Sequence, residues 1–207
     1  MKTRISPLHL GLLFLVGLVF LWSAWRPNDR LTWWLEVAPG IIGAAILIFT
    51  YSNFRFTTLV YVLISLHIML LCAGGHYTYA RVPLFTWIEP VFGWHRNHFD
   101  RLGHFMQGFV PALIARELFV RLRVVTSAGW RFAIVTLICM GISALYELLE
   151  WAAGMTGGAA STAFLGTQGD PWDTQQDMFM ALIGAICALL FMSRWQDRQM
   201  RILPSRC

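Results

Sequence analysis

Six apolar runs decide what this chain can fold into. They cover residues 8–25, 31–51, 57–76, 101–121, 131–151 and 173–193. Each is about 20 residues long, the length at which a helix crosses the hydrocarbon core of a bilayer. The chain is 57% hydrophobic and only 13% charged, against about 25% charged in a soluble globular domain. The expected fold is therefore all-α, a polytopic membrane helix bundle with six transmembrane helices. Residues 1–207 read as a single integral membrane domain, with no room for a separate soluble one. The first run starts behind Lys2 and Arg4 as a signal peptide does. It ends in Leu21-Trp22-Ser23-Ala24-Trp25-Arg26, which lacks a small-x-small cleavage pattern, so it reads as a retained span.

Orientation follows from the basic residues. With the N-terminus cytoplasmic, Lys2, Arg4, Arg55, Arg116, Arg121, Arg123, Arg131, Arg194, Arg198, Arg201 and Arg206 lie inside, and Arg26, Arg30, Arg81, Arg96 and Arg101 lie outside. That bias predicts both termini in the cytoplasm. It also accounts for the net charge of +5 without nucleic acid, for which no module is visible. Trp22, Trp25, Trp33, Trp34, Trp87, Trp94, Trp151 and Trp172 fall near outer boundaries, as an interfacial belt does. Two outer loops are longer than a turn needs. Residues 77–100 are aromatic and carry Pro83 and Pro90, which suits the membrane interface. Residues 152–172, rich in Gly, Ala, Ser and Thr from Gly154 to Gly169, read either as a linker or as a loop folding back over a site. Cys72, Cys139, Cys187 and Cys207 form no CxxC pair and read as packing residues.

Carboxylates contribute little to the orientation rule, so their placement is a separate observation. Asp29, Glu36, Glu89, Asp100, Glu147, Glu150, Asp170, Asp173 and Asp177 fall at the outer side, and only Glu117 and Asp197 at the inner. Ionisable groups inside a span are costly and mark functional sites by default.

Three constellations carry the chemistry. Asp100, His104 and Gln107 are spaced i, i+4, i+7 and share a helix face that continues in Gly108, Pro111 and Ala115. An Asp and a His one turn apart can share a divalent ion or form a carboxylate–imidazole pair; the plainer reading is a hydrogen-bonded pair at the boundary. Glu147 and Glu150 are i, i+3, with Glu147 a turn deeper; the plainer reading is a solvated helix end. Asp170 before Pro171 reads as an N-cap with Pro at the first helical position. Asp173 and Asp177, i and i+4, lie above a small-residue stripe of Ala181, Gly184 and Ala188, which turns the acidic face into the bundle. His76, beside Tyr77 and Tyr79, is a secondary candidate, as are Gln107 and Asp170. His67 sits mid-span and reads as a packing group, and Glu36 is open between the two.

No HExxH helix, GxSxG nucleophile, Walker loop or GxGxxG occurs, so serine chemistry, nucleotide hydrolysis and dinucleotide redox have no support. The runs Arg96-Asn97-His98-Phe99-Asp100-Arg101-Leu102-Gly103-His104-Phe105, Tyr146-Glu147-Leu148-Leu149-Glu150-Trp151, and Gly166-Thr167-Gln168-Gly169-Asp170 through Asp173-Thr174-Gln175 to Asp177 resemble the bacterial YjdF-type inner-membrane family, over residues 60–200. That resemblance implies a multi-pass protein of the bacterial inner membrane and brings a location rather than an activity. A looser similarity is to VanZ-like membrane proteins. Asp100-Arg101-Leu102-Gly103-His104-Phe105 fits their first element, Glu147 or Glu150 the second, and Asp177 with Gly184 the third, where Ala181 departs from the expected Asn.

The expected function is a polar site at the outer, periplasmic face, built from Asp100, His104, Glu147, Glu150, Asp173 and Asp177. Asp100, His104, Glu147 and Asp177 form the metal-binding set. Oxygen and imidazole donors without thiolate suit Mg, Mn, Zn or Fe. Such an ion could act on a lipid-linked or envelope substrate, with the bilayer as the protein's environment. Two other classes fit the same residues: a proton-coupled transporter, which predicts polar groups continuing to the inner face, and a structural or accessory protein whose acids pair with Arg96 or Arg101.

Overall fold

The computed structural model describes residues 5–155 and 167–203. Lys2, Arg4, Arg206, Cys207, Gly166 and most of the Gly/Ala/Ser/Thr-rich loop lie outside the described residues. The described chain is helical: α1 Pro7–Ala24, α2 Arg30–Thr50, α3 Thr58–Tyr77, a 3-10 turn Tyr79–Arg81, α4 Pro83–Phe92, α5 Phe99–Arg121, α6 Ala128–Met155 and α7 Asp173–Cys187. After a π turn at Ala188–Met192, the last run continues into α8, Ser193–Met200.

Local signals set these starts. Pro7 and Pro83 occupy the first helical turn, where a missing N–H costs nothing. Asp29 caps α2 by accepting from Thr32 N at 2.7 Å, and Thr57 caps α3. Gly93 ends α4 at φ 66°, a left-handed C-cap.

Among the described residues, five helices are long and apolar enough to cross a membrane: α1, α2, α3, α6 and the continuous 173–200 run. The sixth expected span, α5, differs in kind. It is 23 residues long, about 34 Å of helix, yet it buries Asp100, Arg101, His104, Arg116 and Glu117. It can carry them because α3, α6 and α7 pack around it and keep its polar face from lipid. Outside this centre, Phe14, Phe49, Leu137 and Phe191 stand exposed, as lipid-facing residues do.

Elsewhere, α6 runs to Met155 and the last helix to Met200, past the expected ends at 151 and 193. The expected loop 77–100 contains α4, whose Leu84, Trp87, Val91 and Phe92 are exposed as in a helix lying at an interface.

Two places fix α5. Along its length it meets α7 backbone to backbone. A Cβ on Gly108 would lie 1.8 Å from the Ala181 carbonyl oxygen, and one on Gly184 would lie 2.0 Å from that of Phe105. The stripe read from sequence is thus a contact surface, with Ala181 and Ala188 fully buried. At the end away from the acids, fully buried Glu117 accepts from Thr57 N at 2.9 Å, Thr57 Oγ1 at 2.7 Å and Arg121 Nη1 at 2.9 Å. Gln196 donates to the Leu113 carbonyl at 2.7 Å and accepts from Arg116 at 2.9 Å. This latch ties α3, α5 and α8 together, and every partner in it is protein.

Candidate functional site

The opposite end is built on two arginines that the sequence reading used for orientation and, in its structural alternative, as partners for the acids. Arg96 Nη1 donates to Asp173 Oδ1 at 2.6 Å and to Asp170 Oδ2 at 3.3 Å. Arg101 Nη2 donates to Asp173 Oδ1 at 2.8 Å, to Gln176 Oε1 at 3.1 Å and to Asp170 Oδ2 at 3.4 Å. Its Nη1 donates to the Asp173 carbonyl at 3.2 Å and touches Asp177 Oδ1. A planar guanidinium with five donors can serve several oxygens at once, which a lysine cannot. The pair brings the start of α5 against the start of α7.

Asp170 does not cap α7 as expected. The helix begins two residues past Pro171, at Asp173, and the Asp170 carboxylate instead folds a turn by accepting from Trp172 N at 2.9 Å. That backbone N–H, together with Arg96, Arg101 and Gln176, holds the Asp170 carboxyl below the usual carboxylate range.

One turn further in, His104 is the pivot. It is 4% exposed. Its Nδ1 lies 3.1 Å from Gln107 Oε1, an acceptor, so Nδ1 carries the proton of that bond. Nε2 then faces Asp100 Oδ1 at 3.7 Å and Glu147 Oε1 at 3.4 Å. One ligand atom each from Asp100, His104 and Asp177, all three residues buried, lie within 4.8 Å of one another. Glu147 Oε1 and Asp177 Oδ1 are buried without a hydrogen bond. Electron-rich atoms converge on one point, and the ionic partner the structure provides, Arg101, lies on the Asp177 side.

A cavity of about 240 Å³ opens beside this point, between α2, α3, α5 and α6. Asp100, His104, Gln107 and Glu150 line it, and so do Tyr79 and Tyr146, which the sequence reading missed, Glu36, which it left open, and His67, which it read as a packing group. Tyr146 donates to Glu36 Oε2 at 3.0 Å, and Tyr79 also reaches Glu36. The Tyr79 ring is held between glycines of two helices: a Cβ on Gly74 would come within 2.3 Å of it, and one on Gly103 within 2.9 Å. The signal that could have found these tyrosines is their place beside glycines and acids at one depth. Their partners are far off in sequence, 110 residues in the case of Tyr146 and Glu36.

The structure therefore gathers Asp100, His104, Glu147 and Asp177, with Gln107 behind the imidazole and Glu150 on the cavity wall. Asp173 and Asp170 stand on the arginine side. His76 is elsewhere: its Nδ1 lies 3.0 Å from the Ser23 carbonyl oxygen, and its ring packs on Trp22 at 4.6 Å, pinning α1 to α3.

A family model described as a predicted membrane protein, DUF2238, matches residues 8–198. The Escherichia coli (strain K12) inner membrane protein YjdF is 43% identical over 202 residues, covering 97% of each chain. No solved structure matches the chain.

Proposed function

The chain belongs to the DUF2238 family of membrane proteins, and from that premise we propose that it is an inner-membrane protein that holds a divalent cation at its periplasmic face. Asp100, His104 and Asp177 are the ligands, with Glu147 beside them. The observation that carries this is the orientation of His104. With Nδ1 committed to Gln107, the imidazole turns Nε2 toward Asp100 and Glu147, and a nitrogen facing two carboxylates needs either a proton or a metal cation between them; the third buried acid at the same point, Asp177, favours the metal. Glu147 Oε1, buried without a hydrogen bond, supplies a further donor at the same place.

A divalent ion held by Asp100, His104 and Asp177 would supply Lewis-acid chemistry, polarising a phosphoryl or carbonyl oxygen and activating water. The chain's own groups do the rest. Gln107 fixes the imidazole. Arg101, braced by Asp173, sets the position of Asp177. Glu150 and Glu36 face the cavity and can accept the proton that a water molecule gives up when it attacks. The substrate class is a lipid-linked or envelope compound, because the cavity lies among spanning helices at one end of the bundle. Below His67 and Gln107 the cavity wall turns to Ile64, Ile114 and Val110, which favours a one-sided site over a transport path.

Metal analysis of detergent-purified protein tests this. The expected result is about one equivalent of a divalent metal in the wild type, lost in Asp177→Ala and His104→Ala and kept in His76→Ala. Equal metal in all four, or none in the wild type, overturns it.

A further inference from the structure

The cavity beside the site has two characters along its length. Its upper end carries Glu36, Asp100, His104 and Glu150, and its lower end is made by Pro39, Gly43, Leu71, Pro111 and Ile142. On α2 the change takes seven residues, from Glu36 to Gly43, about 10 Å of helix rise. Gly43 has nothing within 4 Å of where a Cβ would stand, so the lower end is open space rather than packed glycine. The walls α2 and α6 are joined across the top by the Tyr146–Glu36 hydrogen bond and make no extensive contact below it. His67 lines the same crevice, and it has no hydrogen-bond partner among the described residues. A polar ring in the middle of a span without a hydrogen bond among the described residues leaves room for a ligand or its water.

We propose that this crevice takes one chain of an amine-headed phospholipid, entering sideways from the bilayer between α2 and α6, with the lipid's head at the polar site. Hydrocarbon is the medium outside the mouth, so an acyl chain is the occupant at hand. The volume of about 240 Å³ is below the range that buries a drug-sized ligand, so it holds the head region and the first part of one chain while the rest stays in the membrane. Charge selects the head. Arg96 and Arg101 are engaged with Asp170, Asp173 and Asp177, which leaves the buried acids Glu36 and Glu150 at the cavity's upper end to pair with an ammonium. The phosphate of the same head then falls toward His104 and Asp100, where the proposed cation would meet it. This inference rests on the reading of that end as a ligand site and names its substrate class.

The test uses the full chain in nanodiscs, with a photoactivatable phosphatidylethanolamine and, separately, an equally labelled phosphatidylglycerol. The expected result is labelling of α2 and α6 peptides by the ethanolamine lipid at least fivefold above the glycerol lipid. Gly43→Phe should abolish that labelling while leaving metal content unchanged. Glu36→Gln together with Glu150→Gln should remove the preference but not the labelling. Equal labelling by both lipids in the wild type overturns the headgroup assignment. Labelling that Gly43→Phe leaves intact overturns the crevice. Metal present with no crevice labelling refutes this inference alone, and crevice labelling without metal refutes the cation reading alone.

Discussion

Arg101 is the residue on which the acidic end depends. One guanidinium serves Asp170, Asp173, Gln176 and the edge of Asp177, and its side chain is 9% exposed. Removing one partner of a buried ionic group costs about 3–5 kcal/mol, because the charges left behind have no water to turn to. Arg101→Met is therefore expected to lower the thermal midpoint in detergent by on the order of 10 °C. Arg101→Lys should recover only part of that loss, since an ammonium cannot reach the same oxygens together. A melt of Arg101→Met within 2 °C or so of wild type would remove Arg101 from this role. Asp170 gives the pH counterpart. Its carboxyl is held below the usual range, first by the Trp172 N–H and then by Arg96 and Arg101. A lowered pKa in the folded state contributes stability above the unfolded value, about 3.9, and loses it as pH falls through the folded value. The stability gap between wild type and Asp170→Asn should be full at pH 6 and close as acid is added below about pH 4. A gap that widens in acid would mean the bonds act through something other than the charge.

At the scale of elements, the fold rests on α5 and α7 meeting without side chains between them. A Cβ at Gly184 would stand 2.0 Å from a carbonyl oxygen, and backbone cannot rotate aside as a side chain can. Gly184→Leu should cost about 3 kcal/mol or more by overpacking and should separate Asp177 from the start of α5. Loss of metal together with a lowered melting temperature checks this, while Gly11→Leu, in open space on α1, should change neither. Much of this was legible in the sequence. The runs gave six spans, of which five are helices long and apolar enough to cross a membrane among the described residues, and the small residues at 181, 184 and 188 with Gly108 gave the contact face. The spacing of Asp100, His104 and Gln107 placed them on one face, which is how they stand. What pattern could not supply was pairing over distance. Glu36 and Tyr146 belong to helices with no shared periodicity, and although Arg96 and Arg101 read as candidate partners for the acids, nothing local shows that Asp173 is the one both will meet. Asp170 misled for the opposite reason: the local signal for a cap was real, but the turn it makes ends before the helix begins.

At the scale of the whole molecule, the two ends are built differently. The end with Glu117, Gln196 and Arg116 is closed by protein partners, whereas the end with Asp100, His104 and Glu147 keeps unbonded acceptors beside a cavity. Which end faces the periplasm decides what the site can meet. The basic residues argue for the acidic end outside. Labelling in intact cells with a membrane-impermeant maleimide reads this directly. With Cys187 and Cys207 replaced by Ser and the buried Cys72 and Cys139 left in place, His95→Cys lies exposed at the acidic end and Thr126→Cys exposed at the other. The expected outcome is that His95→Cys reacts in whole cells and Thr126→Cys only after lysis. The reverse pattern would turn the site toward the cytoplasm. It would exclude periplasmic envelope substrates while leaving the cluster, its cavity and the metal measurement as they stand.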